Sequence, residues 1–174
     1  MLDAALLAFE QHDDAGGREL VGRARQVARE AAVDLRDLIA GVEPEALHAD
    51  GLASAVAELA ERVEARRGIA FALDLPAAGL LGEGARSGLY QVVREAVDQA
   101  VRRGPPRRVT VTLAQTPTGG VTLELTDDGT EERRHAVIEE LAERVADLNG
   151  TLAYDRSQET TTITVTLPPS AAYV

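Results

Sequence analysis

Cysteine and tryptophan are both absent from the 174 residues, and aromatic side chains make up only 3%. Without thiols there is no disulfide framework and no thiolate zinc site. The three histidines, His12, His48 and His135, stand singly, without the close spacing that imidazole metal ligands need. With so few large rings the core must be aliphatic, built from the Ala, Val and Leu that dominate a hydrophobic fraction of 45%.

Positive charge is also scarce. Eighteen basic residues against 29 acidic ones leave a formal net charge of −11, which argues against a general phosphate-backbone binder and leaves nucleic acid out of the expected partners. No run approaches the roughly 18 apolar residues of a membrane span. The first residues carry no positive segment ahead of their apolar stretch, so no signal peptide is read and a cytoplasmic location is expected.

What the chain does contain is periodic. Leu2 to Gln11 predicts a short helix, a polar glycine-rich turn follows at His12 to Gly17, and Arg18 to Ala40 predicts a long helix with a near-heptad seam of Leu20, Val27, Ala31, Leu35 and Leu38. The first helix is too short to cover that seam, so a dimeric four-helix bundle is expected; the seam folding back on its own chain is the alternative. Residues 42 to 49, with Glu43-Pro44-Glu45, read as a linker. Asp50 to Arg67 predicts a helix closed by Gly68, and Ile69 to Leu75 an alternating strand stopped by Pro76.

Two strands, Val109 to Leu113 and Val121 to Leu125, form a hairpin around Pro117-Thr118-Gly119-Gly120. Glu131 to Asn149 then predicts a helix, and Thr151 to Asp155 pairs with Thr162 to Leu167 in a last hairpin. The order implies an α+β fold: a helical hairpin (1–41), a linker (42–49), a layered domain with a mixed five-stranded sheet and its helices on one face (50–169), and a tail (170–174).

Between the first strand and the central hairpin lies Tyr90 to Arg103, whose Val93, Val97 and Ala100 fall with the preceding Leu89 on one side of a helix that Gly104-Pro105-Pro106 ends. Glu95 and Gln99 are four residues apart and project in nearly the same direction. Two such oxygens could share one hard cation such as Mg²⁺; a solvated polar face is the plainer alternative.

The acidic helix before the central hairpin, Asp127-Asp128-Gly129 directly after it, and the closing segments Glu143 to Leu152 and Thr161 to Pro168 together resemble the ATP-binding domain of sensor histidine kinases, within the gyrase, Hsp90, histidine kinase and MutL superfamily. Leu35 to Gly41 with Pro44, Leu47 and Asp50 to Val56 is similar to the approach to that domain in kinases of the nitrate-sensor and DesK type. The resemblance implies that Glu95 orients the attacking group, that Glu95 and Gln99 hold Mg²⁺, and that Asp127, Gly129 and Thr162 contact ATP.

Departures from the family pattern are specific. Gln99 replaces the family's asparagine, Glu131 replaces the second glycine after Asp127, and no glycine lies between Gly129 and Gly150, where the family carries a second glycine box and a lid. Arg102 and Arg103 match expected basic residues, and Arg133, Arg134 and His135 could meet an anion. His12-Asp13 resembles a phosphoacceptor in letters but sits in the inter-helix turn, and His48 lies in the linker. The expectation is a degenerate, non-catalytic two-component protein without ATP or Mg²⁺, working as a homodimer that docks a response regulator or another histidine kinase. The alternatives are an ATP- and Mg²⁺-binding portion of an active kinase that phosphorylates another chain, and an anti-sigma-like switch.

Overall fold

The computed structural model of the protein describes residues 21–22, 44–102, 106–129, 135–157 and 160–173. The chain divides into two compact units, Met1–Glu43 and Pro44–Val174. In the first only Val21 and Gly22 are described, both helical, so the expected helical hairpin and its seam lie outside the described residues.

The second unit begins with a helix where a linker was expected. Helix α1 (Glu45–Ala49) is followed by α2 (Leu52–Arg67), β1 (Ala70–Asp74), a 3-10 turn (Ala78–Leu80) and α3 (Glu83–Arg102). Pro44 sits at the N-cap of α1 in extended conformation, where proline's fixed φ opens a helix rather than breaking one. Leu47 is buried and joins the main hydrophobic cluster, so this segment is bound into the domain. Gly68 closes α2 in the left-handed conformation, its N–H donating to the Glu64 carbonyl, and the chain turns directly into β1.

Next come β2 (Arg108–Gln115), β3 (Val121–Asp127), α4 (His135–Asp147), β4 (Thr151–Arg156), β5 (Thr161–Leu167) and α5 (Pro169–Ala172). The five strands form one mixed sheet in the order β1-β2-β3-β5-β4, with β1 parallel to β2 and the other pairs antiparallel. This is the α+β class expected.

Burial alternates along β2, β3 and β5 with the period of two that a half-covered sheet requires. Val109, Val111, Leu113, Leu123, Leu125, Ile163, Val165 and Leu167 form the inner face and pack in one cluster with Leu52, Val56, Leu89, Val93, Val97, Leu141 and Val145 of the helices. The outer face is mostly half-buried threonines, Thr110, Thr112, Thr122, Thr126, Thr162, Thr164 and Thr166, with the exposed Glu124 among them, and threonine meets the β-propensity of a water-facing sheet. Gly88 of α3 faces Leu148, where a Cβ would overlap the leucine side chain, so the end of the α4 segment sits close on α3.

Residues 170–174, expected as a tail, are in part structural. Ala172 is fully buried and its carbonyl accepts from Gly82 N–H at 2.9 Å. The Tyr173 hydroxyl donates to the Gly119 carbonyl at 2.6 Å and accepts from Gln115 Nε2 at 3.0 Å. The segment thereby ties the β2–β3 hairpin to the start of α3. Among the described residues no helix is long and apolar enough to cross a membrane.

Candidate functional site

Asp127 ends β3 at a position of inner-face parity with Leu123 and Leu125, and only 8% of it is exposed. Its Oδ1 accepts the Gly129 N–H at 2.8 Å, an Asx-type turn that aims the chain away from the sheet. The neighbouring Asp128 faces outward, and its Oδ1 accepts two backbone N–H groups, from Arg107 at 2.7 Å and Arg108 at 3.0 Å. One carboxylate is therefore held inside the domain, while the next fastens the start of β2 to the end of β3. The sequence reading gave no role to Asp128.

Directly across the ladder from Asp127 stands Thr161. It is 6% exposed, and its Oγ1 is buried without a hydrogen-bond partner among the described residues. Thr162, the residue expected to contact nucleotide, points the other way. Its Oγ1 lies on the outer face, 3.0 Å from Thr126 Oγ1. The strand period separates the two threonines: Thr161 shares a face with Ile163, Val165 and Asp127, and Thr162 does not. A second buried hydroxyl, that of Tyr154 on β4, also lacks a partner. Tyr154 pairs with Ile163, which places it on the same inner face and diagonal to Thr161.

Glu95 and Gln99 do meet on α3. Gln99 Nε2 donates to Glu95 Oε1 at 2.8 Å, half-buried. The cavity that Glu95 lines, about 290 Å³, is completed by Glu143, Arg144 and Asp147 of α4, and Asp127 is not among its walls. The structure thus brings together two groups of residues: Asp127, Gly129 and Thr161 at the end of the sheet, and Glu95 with Gln99 between the helices. Arg103, Glu131, Arg133 and Arg134 lie outside the described residues.

For a nucleotide with Mg²⁺, as the sequence resemblance implies, the two groups give opposite answers. The buried carboxylate beside an unsatisfied hydroxyl fits the polar edge of a base. The helical group fits poorly, because one Glu95 oxygen is taken by the Gln99 amide N–H and the Arg144 guanidinium lines the same cavity. Among the described residues no cluster of three or more His, Cys, Asp or Glu side chains could hold a metal ion.

Comparison with solved structures gives the fold a name. The blue-light activated histidine kinase of Erythrobacter litoralis superposes with a TM-score of 0.57 at 14% identity over 68% of this chain. The fold is that of the histidine kinase ATPase domains. The histidine kinase AdeS of Acinetobacter baumannii gives a TM-score of 0.56 at 14% identity, covering 96% of this chain and 92% of that one. The ATP binding domain of PrrB from Mycobacterium tuberculosis gives 0.50 at 20% identity, covering 64% and 88%. This chain spans 42% of the Erythrobacter protein. No family model and no curated protein sequence matches.

Proposed function

We propose that this chain is a degenerate two-component protein of the histidine kinase type, non-catalytic, which dimerises through its N-terminal helices and docks a response regulator or another histidine kinase. The observation that carries this reading is the Gln99 amide resting on Glu95 Oε1 at 2.8 Å, at the position where the resemblance puts Mg²⁺. Magnesium demands near-octahedral oxygen coordination, and a pair closed on itself offers little of it. The missing glycines between Gly129 and Gly150 support the same reading, because backbone N–H groups that would cradle phosphates need close approach. Phosphoryl transfer depends on positioned nucleotide, metal and acceptor together.

One observation favours the second reading, an ATP- and Mg²⁺-binding portion of an active kinase: the unsatisfied Thr161 hydroxyl beside Asp127 keeps one end of a nucleotide site in order. Thermal unfolding with Mg-ATP separates the two. A ligand at 100 times its dissociation constant stabilises by about 2.7 kcal/mol. The expected result is that Mg²⁺ adds nothing to the effect of ATP, and that the chain sediments as a dimer at tens of micromolar. A Mg²⁺-dependent shift that Asp127→Asn abolishes returns the active-kinase reading, and a monomer removes the bundle.

A further inference from the structure

We propose that the free edge of β1 pairs antiparallel with β1 of a second copy of this chain, about a two-fold axis at Ala72, and joins the two sheets into one.

β1 is an outer strand of the sheet. Ala70 N–H donates to the carbonyl of Arg107, just ahead of β2, and by the period of the ladder Ala72 and Asp74 also direct their backbone groups to β2. Phe71 and Leu73 therefore direct their N–H and C=O groups outward. Phe71 N–H donates to Oε1 of the exposed Glu64 side chain at 2.7 Å, so this donor is open to an acceptor from outside the sheet. Leu73 N–H has no such acceptor among the described residues, and Leu73 is 37% exposed. Native sheets cover such edges or set charge or proline on them; within β1 only Asp74 is charged.

The strand is complementary to itself. With Ala72 opposite the second copy's Ala72, Phe71 faces the second copy's Leu73, and Leu73 its Phe71. In both pairs the outward N–H and C=O groups exchange hydrogen bonds, and the alanines form the closely spaced pair between them, with Cα atoms about 4.5 Å apart. Glu64 gives way to a backbone carbonyl. On the inner face Phe71 then covers the exposed leucine, an aromatic and aliphatic pair of the kind that stabilises sheets. On the outer face Asp74 stands opposite the second copy's Ala70, whose neighbour on β2 is Arg108. Asp74 and Arg108 are both exposed, and neither has an ion-pair partner among the described residues. The small alanine leaves room for the arginine to reach over it to the aspartate, which makes one ion pair at each end of the contact. Moving the axis to Phe71 sets Asp74 against Gly68 and loses both. The contact lies wholly in the unit Pro44–Val174 and does not rest on the N-terminal helices.

The chain has no cysteine, so disulfide trapping of the full chain reads this register directly. Ala72→Cys places two thiols on Cα atoms whose spacing falls within the roughly 4.4–6.8 Å that disulfides span. Under mild oxidation Ala72→Cys is expected to form a linked dimer at least about tenfold faster than Ala153→Cys, because a formed contact raises the local thiol concentration; Ala153 is an exposed alanine on the opposite edge strand. Adding Leu73→Lys to Ala72→Cys should slow linkage about fivefold or more, since an edge lysine opposes strand pairing, and circular dichroism checks that the fold is kept. Equal rates for the two cysteine variants leave random collision as the route and overturn the pairing. Linkage that Leu73→Lys does not slow in a folded protein overturns it as well. Faster linkage in a mixture of Ala72→Cys with Ala153→Cys than in Ala72→Cys alone assigns the edge to β4 and overturns the two-fold contact.

Discussion

Asp127 and Thr161 face each other across the β3–β5 ladder, both buried, the carboxylate accepting the Gly129 N–H and the hydroxyl bonded to none of the described residues. A bonded acid and an unbonded alcohol thus stand side by side at the end of the sheet. That pair and three other contacts of the domain each have a measurable consequence.

Without ligand, Thr161→Val should leave stability unchanged or raise it by about 1 kcal/mol, since valine keeps the shape and removes an unmet hydrogen bond. Thr162→Val should instead lower stability by up to about 1 kcal/mol, because its hydroxyl pairs with Thr126. Urea denaturation of the two variants gives the comparison, and the same sign for both would contradict the face assignment.

Asp128→Ala removes one acceptor from two backbone donors, Arg107 and Arg108 N–H. A loss of about 1–3 kcal/mol is expected, read as a lower denaturation midpoint with an unchanged slope. Asp128→Asn keeps an oxygen and should recover part of it.

A Cβ at Gly120 would overlap the Leu167 carbonyl oxygen. Gly120→Ala must therefore displace backbone between the β2–β3 hairpin and the end of β5, at a cost of about 1–3 kcal/mol. An unchanged melting temperature would show that the hairpin yields freely.

Tyr173→Phe loses the bonds to Gly119 and Gln115 and should cost about 1 kcal/mol. Truncation before Pro169 also withdraws the buried Ala172 and its bond to Gly82, so it should cost more than the point change. Equal losses would mean that the segment acts through the tyrosine alone.

Glu95 and Gln99 were legible as a pair because four residues make one helical turn, and Asp127 because it follows an alternating strand. Thr161 was legible in principle, since Ile163, Val165 and Leu167 fix its parity. Choosing it over Thr162 required knowing that Asp127 pairs with it, and that is a register between strands 34 positions apart in sequence (161 − 127). Asp128 was missed for the same reason: its partners Arg107 and Arg108 lie on the other arm of the hairpin.

The sequence alone set the order of the main helices and strands from α2 to β5, the aliphatic core and the α+β class, because helix and strand periods are local properties of hydrophobic spacing. Tertiary structure decided what each element was for. Pro44 and Leu47 read as a linker until packing drew Leu47 into the core, and the last residues read as a tail until Ala172 was buried and Tyr173 found Gly119. Burial and hydrogen-bond partnership depend on which distant surfaces meet, and no local pattern carries that information.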